Sequence, residues 1–325
     1  MTEARTTSAA FLFPGQGAQH VGMGRDLHDK VASARELFEL AESATGLPIK
    51  RLCFEGPEEE LSRTDVAQPA IFTVSAAVLA ARRERLEDGG ESASHMAGLS
   101  LGEYTALYAA GAMDFETGVR LVARRGALMQ QAALAVPSGM ISVLGIDEAR
   151  AAELCGEAAG GQVLACANFN CPGQVVLSGQ IEAVRRVEEL AEKFGAKAAV
   201  PLKVAGAFHS PLMAPAAEKL AEALRSVRFA GPNVPVIANV DGRPHGDSEQ
   251  IKAKLLAQLT SPIRWEQSMR YLLAQGVARF LEMGPGKVLC GLMRRIDRKA
   301  HCTCVDSPEA LEELRKEAAG RPEGR

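Results

Sequence analysis

Ser100 lies in the run Gly98-Leu99-Ser100-Leu101-Gly102, which matches the Gly-x-Ser-x-Gly pattern of a nucleophile elbow. In such an elbow a strand ends, the chain turns sharply and a helix begins, so that the serine hydroxyl is exposed at the turn. Glycines flank the serine because the turn brings backbone segments too close together for a Cβ atom. Chains rich in glycine contain this short pattern by chance, so Ser100 is a convincing nucleophile only if other residues can assist it.

A serine nucleophile needs a base, and His209 is the strongest candidate among the six histidines. It follows a predicted strand and lies in the run Gly206-Ala207-Phe208-His209-Ser210-Pro211. A histidine in a loop of this kind, bounded by glycine and proline at a strand end, can reach an exposed elbow serine. The alternative is that His209 caps the helix that follows.

Arg125 lies on a predicted helix over 114–135, for which Asp114 is the expected N-cap. At about 100° per residue, Arg125 shares a wholly apolar face with residues such as Leu121 and Met129. A guanidinium keeps its charge, and burying it unpaired is costly, so Arg125 requires an anion. That anion is either an internal Asp or Glu, or a substrate carboxylate held by the planar fork.

The loop Gly15-Gln16-Gly17 follows a predicted buried strand over 9–13. In a parallel sheet this loop opens at the same edge as the elbow. A backbone N–H of this loop, together with the N–H of Leu101 directly after the nucleophile, would form an oxyanion hole. The alternative is that the glycine-rich loop is simply a turn.

The elements that must position these residues alternate between strand and helix up to about residue 137, which predicts a parallel sheet with helices on both faces. From Met140 the rhythm changes to β-α-β-β-α-β, the ferredoxin-like order. We therefore predict an α/β protein whose large domain comprises 1–137 and 204–325, with an inserted α+β subdomain over 138–203. The cleft between them is where a ligand is expected.

The composition limits the possible functions. The chain has 325 residues, is 47% hydrophobic and carries a formal net charge of −3, so it can bury a sizeable core and has no global basic field for nucleic acid or a membrane.

Its seven cysteines lack a metal-site spacing and are predicted to be reduced thiols of a cytoplasmic protein. We expect no signal segment, no membrane span, no metal and a monomer. The tail from Ser307 predicts a short surface helix that frays into disorder.

Six stretches, in order, resemble the malonyl-CoA:acyl-carrier-protein transacylases of type II fatty-acid synthesis. The resemblance runs from Phe11 to about Ile296. The matching stretches are Phe13-Pro14-Gly15-Gln16-Gly17-Ala18-Gln19, Gly98-Leu99-Ser100-Leu101-Gly102-Glu103-Tyr104, Arg124-Arg125-Gly126, Ala207-Phe208-His209-Ser210, Gln258-Leu259-Thr260-Ser261-Pro262 and Gly284-Pro285-Gly286-Lys287-Val288-Leu289.

The resemblance implies an α/β-hydrolase-like large domain and a role for each matched residue. Ser100 would be the nucleophile and His209 its general base. Gln258 matches the family glutamine whose backbone carbonyl orients the catalytic histidine, so no triad aspartate is expected. Arg125 would bind the malonyl carboxylate, and Gln16 with the Leu101 amide would line the oxyanion hole.

The resemblance also implies which acyl group the site selects. Met129 and Phe208 are expected to contact substrate, and in related polyketide acyltransferase domains a Phe just before the active histidine goes with malonyl rather than methylmalonyl. One residue departs from the family pattern, because Leu99 stands where a histidine usually precedes the nucleophile. The implied substrates are malonyl-CoA and the phosphopantetheine arm of acyl carrier protein, with no cofactor.

Three other functions fit parts of the pattern. An esterase or thioesterase would use the same elbow and base with water as acceptor, but it would not require Arg125 on an apolar face. An acyltransferase serving a polyketide assembly line differs little in sequence. A non-catalytic scaffold would have no reason to keep Ser100, His209 and Arg125 together. The basic residues Lys287, Arg294 and Arg295 either meet an acidic carrier protein or form a solvated charged face.

Overall fold

The computed structural model of the protein describes residues 9–85 and 92–319. Its strands form a five-stranded sheet of order β7-β2-β1-β8-β9 and a four-stranded sheet of order β4-β5-β3-β6. The strands are β1 (Ala9–Phe13), β2 (Ala93–Gly98), β3 (Ser138–Leu144), β4 (Leu164–Cys171), β5 (Gln174–Gln180), β6 (Ala198–Pro201), β7 (Val236–Ile237), β8 (Arg279–Met283) and β9 (His301–Val305).

Fourteen α-helices surround these sheets in the described part of the chain. They are α1 (Arg25–Lys30), α2 (Ala32–Thr45), α3 (Ile49–Glu55), α4 (Glu58–Leu61), α5 (Thr64–Arg85), α6 (Leu101–Ala109), α7 (Phe115–Ala135), α8 (Glu148–Ala159), α9 (Ile181–Leu190), α10 (Ala214–Ser226), α11 (Ser248–Thr260), α12 (Trp265–Ala274), α13 (Val288–Ile296) and α14 (Pro308–Ala319). Short 3₁₀ turns follow α9 at Ala191–Phe194 and precede α10 at Pro211–Met213.

All neighbouring strands of the larger sheet run parallel, as predicted. Its central strand β1 has the sequence Ala-Ala-Phe-Leu-Phe, and every residue of it is buried. A strand covered by helices on both faces needs such a continuous apolar run. The carboxyl ends of β1 and β2 are neighbours, because Phe13 pairs with Gly98. The loop after β1 and the elbow after β2 therefore open at one edge of the sheet.

The smaller sheet is antiparallel and lies wholly between residues 138 and 201. Its order is the ferredoxin-like one predicted from the sequence, with α8 and α9 packed against it. The sequence predicts the last strand over 198–204, whereas it ends at Pro201 in the structure, with the Leu202 N–H donating to the carbonyl oxygen of Met140 just beyond it. The fold class is confirmed; the division at 138 and 203 into separate domains stays a prediction.

Helix α5 is the one described helix that is long and apolar enough to cross a membrane, a possibility that the sequence analysis did not identify. In the fold, 89% of its apolar window is buried inside the protein. It packs against α7 and α2, so its apolar character is explained by the core that it fills.

The prediction that all seven cysteines are reduced thiols is wrong. Cys290 and Cys302 form a disulfide between α13 and β9, whereas the other five cysteines are free. Their separation in sequence gave no sign that a helix and an edge strand would bring them together. The predicted surface helix is confirmed as α14, whose apolar face buries Leu311 and Leu314 in the core. The predicted frayed end lies outside the described residues.

The elbow between β2 and α6 has no room for larger residues. A Cβ on Gly98 would collide with the backbone of Gly102, and a Cβ on Gly102 would collide with the carbonyl oxygen of Phe13. Ser100 has a φ of 52°, a value that non-glycine residues rarely adopt. The glycines therefore allow the first turn of α6 to lie directly on β1.

We expect Gly102→Ala to lower the free energy of unfolding by about 1–3 kcal/mol, because neither backbone segment can withdraw from the added methyl group. Gly156→Ala is the matched control. Gly156 lies inside α8, and nothing lies within 4 Å of the position that an added methyl group would take, so alanine there should stabilise the protein by up to about 1 kcal/mol. Urea unfolding of both variants measures the two changes, and an equal effect would contradict the close packing at the elbow.

Candidate active site

Ser100 and His209 form a hydrogen-bonded pair, with 2.8 Å between the Oγ and Nε2 atoms. The serine is at the N-terminus of α6, and the histidine is in the loop between β6 and the 3₁₀ turn at Pro211–Met213. His209 has a φ of 55°, so both members of the pair are held in an unfavourable backbone conformation. Strain of this kind persists only where the surrounding structure enforces it, and it clusters at functional sites.

The hydrogen bonds of His209 define its tautomer. Its Nδ1 lies 2.7 Å from the carbonyl oxygen of Gln258, which can only accept, so Nδ1 carries the proton. The neutral ring therefore presents the lone pair of Nε2 to the Ser100 hydroxyl. The alternative that His209 caps the next helix does not hold, because Ser210 provides that cap by accepting from the Leu212 N–H.

The environment of His209 keeps its ring neutral. Burial, and after it the positive charge of Arg125, lower the pKa of His209 to about 3, against the hydrogen bond to Gln258, which raises it. A neutral imidazole is the form that can accept a proton from Ser100.

Arg125 is buried on α7 and has neutral partners only. Its guanidinium donates to Gln68 Oε1 at 2.7 Å, to Gln258 Oε1 at 2.7 Å and to Ser100 Oγ at 2.9 Å. Its side chain is among the largest that the fold buries completely, with 1% of the residue exposed. No Asp or Glu of the described residues forms an ion pair with it within 4.0 Å. The sequence left two anions open as partners of Arg125, an internal Asp or Glu and a substrate carboxylate. The internal carboxylate is not in direct contact with Arg125.

The loop after β1 lies against the elbow, because a Cβ on Gly15 would collide with the carbonyl oxygen of Leu99. The Gln16 side chain donates to Thr64 Oγ1 at 3.2 Å. Within the described residues, the backbone amides of Gln16 and Leu101 have no hydrogen-bond acceptor. Both amides remain available for an oxyanion, and the oxyanion hole stays a prediction.

These residues open on a cleft of about 260 Å³. One side comes from the parallel sheet, through Gln16, Ser100 and Leu101, and the opposite side comes from the ferredoxin-like sheet, through Asn168 and Val176. The cleft thus lies where the two sheets meet, as predicted. Arg125, Met129, Phe208 and His209 also line it. Gln258 is buried behind Ser100 and His209 rather than in the wall.

Leu99 also lines this cleft, and it packs against the apolar cluster on the other face of the larger sheet. An apolar residue is therefore well accommodated next to the nucleophile. The proton transfer does not depend on this position, because His209 already holds the Ser100 hydroxyl.

Sequence analysis missed four buried polar residues that hold the site: Gln68, Glu103, Asn239 and His245. Gln68 had a detectable signal, since it is a polar residue within the apolar stretch of α5. Asn239 and His245 had none, because they lie in the loop after β7 and reach the elbow only through folding. Glu103 was part of the elbow run but was given no role.

A strained serine bound to a neutral histidine, beside two unoccupied amides and a buried cation, defines an acyl-transferring enzyme with a serine nucleophile. Residues 10–307 match the family described as the acyl transferase domain. The chain is 44% identical over 304 residues to the malonyl CoA-acyl carrier protein transacylase of Bacillus subtilis strain 168, covering 93% of this chain and 95% of that protein.

Solved structures agree. The malonyl CoA-acyl carrier protein transacylase of Coxiella burnetii superposes with a TM-score of 0.93 at 39% identity, covering 98% of this chain and 99% of that chain. A malonyl-transacylase solved in complex with a type II polyketide synthase acyl-carrier protein superposes with a TM-score of 0.90 at 40% identity, covering 95% and 99%. The chain belongs to the malonyl-CoA:acyl-carrier-protein transacylase family, and the resemblance seen in the sequence is confirmed.

The pKa of His209 predicts a measurable effect of pH on stability. The unfolded chain binds a proton near the ordinary value of 6.5, whereas the folded protein does so only near pH 3. Stability from the neutral ring is therefore fully present above pH 6.5 and is lost as the pH falls towards 3, by up to about 1.4 kcal/mol per pH unit.

Urea unfolding between pH 7 and pH 4.5 measures this slope, and His209→Asn, which binds no proton, is the control. The wild type should lose more stability on acidification than the variant does. Ring NMR signals of His209 that titrate near pH 6.5 in the folded protein would contradict the prediction.

Proposed function

We propose that this protein transfers the malonyl group from malonyl-CoA to the phosphopantetheine thiol of acyl carrier protein, through a malonyl ester of Ser100, and so supplies fatty-acid synthesis. The observation that carries the proposal is Arg125, a buried cation that has neutral partners and donates directly to the nucleophile. Family membership supports the same reaction.

The geometry of malonate fits this cation. A single methylene separates the carboxylate of a malonyl group from its thioester carbonyl. Because Arg125 Nη2 lies 2.9 Å from Ser100 Oγ, a carboxylate bound to the guanidinium places its neighbouring carbonyl carbon next to the nucleophile. Binding and attack thus occur side by side, which is the advantage of proximity.

Acylation needs one proton transfer. His209 Nε2 takes the proton of Ser100 as Oγ attacks the thioester carbon, and the oxyanion accepts hydrogen bonds from the Gln16 and Leu101 amides. When the tetrahedral intermediate collapses, the C–S bond breaks and the coenzyme A thiolate takes the proton from His209. The thiol of the carrier protein then repeats these steps in reverse, which makes the cycle ping-pong.

The carboxylate of a bound malonyl group also makes His209 a stronger base. The charge of Arg125 is one of the two causes that lower the pKa of His209. A bound carboxylate offsets this charge, so the pKa of His209 rises when the correct substrate is present. The base therefore gains strength when malonyl is bound, but not when an acyl group without a carboxylate occupies the cleft.

Two apolar side chains limit the size of the acyl group. Phe208 and Met129 line the cleft and are almost wholly buried, so their positions are set by packing. A rigid ring at Phe208 leaves little space for an α-methyl group, which favours malonyl over methylmalonyl. Gln258 supports the base from behind through its backbone carbonyl.

The remaining expectations follow from the chemistry. The group transfer involves no redox step, and the serine–histidine pair supplies its proton transfers, so the proposal includes no metal or cofactor. The carrier protein and malonyl-CoA are the proposed partners, with Arg295 at the rim, where it donates to the cleft residue Gln174. We place the protein in the cytoplasm as a monomer that binds neither nucleic acid nor membrane.

Incubation with malonyl-CoA, followed by intact-protein mass spectrometry, tests the reaction. We expect one malonyl adduct on the wild type, none on Ser100→Ala, and discharge of the adduct by holo acyl carrier protein. Release of free malonate without a stable adduct would instead indicate a hydrolase of the esterase or thioesterase kind.

Replacing Arg125 tests the carboxylate site. Arg125→Ala should lower kcat/KM for malonyl-CoA by on the order of 100-fold or more, because a charge-assisted hydrogen-bonded pair is lost. Transfer from acetyl-CoA, which has no carboxylate, should fall far less. Steady-state transfer with both substrates measures the ratio, and an equal fall would sink the idea of a carboxylate clamp.

A further inference from the structure

Glu103 is a wholly buried acid on α6, three residues after the nucleophile, and the acyl transfer described above does not use it. Both of its carboxylate oxygens accept hydrogen bonds. Oε1 lies 2.7 Å from Nε2 of His245, whose side chain is also fully buried. Oε2 accepts from Gln258 Nε2 at 2.7 Å and from the backbone N–H of Asn239 at 3.0 Å.

Asn239 holds the elbow itself. Its Oδ1 accepts from the Ser100 backbone N–H at 2.7 Å, and its Nδ2 donates to the carbonyl oxygen of Gly98 at 2.8 Å. The side chain thus holds the strained backbone of the nucleophile on both sides of Leu99.

Gln258 contacts all three working residues. Its backbone carbonyl accepts from His209 at 2.7 Å, its Oε1 accepts from Arg125 at 2.7 Å, and its Nε2 donates to the Ser100 carbonyl at 3.0 Å. An amide side chain has a similar shape in either of its two orientations, so something must decide which end faces Arg125.

We propose that Glu103 is a positioning residue of this site, and that it acts by fixing the orientation of the Gln258 amide. A carboxylate oxygen that already faces a backbone N–H can only accept, so it selects the NH₂ end of Gln258 and reinforces the longer contact of that group with the Ser100 carbonyl. The carbonyl end is thereby directed at Arg125. In the opposite orientation the NH₂ group would face the guanidinium, and two donors would meet without an acceptor.

His245 completes the arrangement. Its Nε2 donates to Glu103, while its Nδ1 is buried and has no partner among the described residues. Because a carboxylate oxygen can only accept, Nε2 carries the proton of this hydrogen bond. The negative charge of Glu103 also favours the Arg125 cation across the Gln258 amide, raising the pKa of Arg125 against the effect of burial.

This inference rests on the proposed function, and the experiment separates the two. Wild type, Glu103→Ala, Glu103→Gln and Glu103→Asp are compared after the active sites are counted with malonyl-CoA by mass spectrometry. Failure of the wild type to form a malonyl-Ser100 adduct overturns the proposed function. With that adduct established, kcat and KM per titrated site for malonyl-CoA and acetyl-CoA test the role of Glu103.

We expect Glu103→Ala to lower kcat/KM for malonyl-CoA by on the order of 100-fold, since small misplacements at a reacting centre have effects of this size. The preference for malonyl over acetyl should fall about tenfold or more, because Arg125 loses its fixed acceptor. Glu103→Gln should recover most of this preference. Its carbonyl can accept from Gln258 and Asn239 while its NH₂ group faces His245, whose ring can take the other tautomer.

A purely structural role would give a different result. Leu272→Ala is the control, because Leu272 is fully buried on α12 and its loss destabilises the fold without touching the site. It should keep wild-type kcat, KM and preference per titrated site. If Glu103→Ala behaves like this control, or lowers malonyl and acetyl transfer equally, the positioning role is overturned.

Glu103→Asp keeps the test decisive if the alanine variant does not fold. This variant keeps the charge but withdraws the carboxylate from Gln258 by one methylene. We expect it to show the same loss of malonyl preference to a smaller degree. An unchanged preference in Glu103→Asp would overturn the inference.

Discussion

The site depends on one buried cation. Arg125 is removed from water on α7 and cannot release its charge, so the fold must provide acceptors for its donors. It provides Gln68 from α5, Gln258 from α11 and the nucleophile itself, all of them neutral. This arrangement satisfies donors of the buried cation within the protein, and in the proposed reaction a substrate carboxylate would neutralise its charge.

The elbow that carries the nucleophile requires very close packing of backbone segments. Gly98 and Gly102 allow β2, α6 and β1 to approach within distances that any Cβ would prevent, and the serine between them adopts a positive φ. Asn239 then holds the strained segment from outside through two hydrogen bonds. The strain is maintained by contacts from distant parts of the chain, which explains why a local motif is necessary for the elbow but does not suffice to build it.

The ferredoxin-like sheet gives the site its second wall. Strand β4 is tied to the segment before α12, where Phe169 donates to the carbonyl of Ile263 and Ile263 donates to that of Ala167. Asn168 and Val176 of this sheet therefore face the elbow across the cleft.

The sequence by itself determined the parts that depend on local spacing. Two glycines around Ser100 indicated an elbow, the apolar helical face indicated that Arg125 is buried, and the alternation of strands and helices indicated a parallel sheet with a ferredoxin-like insertion. Tertiary structure alone decided the rest. That Arg125 meets glutamines rather than a carboxylate, that Cys290 pairs with Cys302, and that Glu103 contacts Asn239 and Gln258 all depend on residues far apart in the chain. Periodicity shows which face of an element is buried, but only the packed fold determines which side chains meet there.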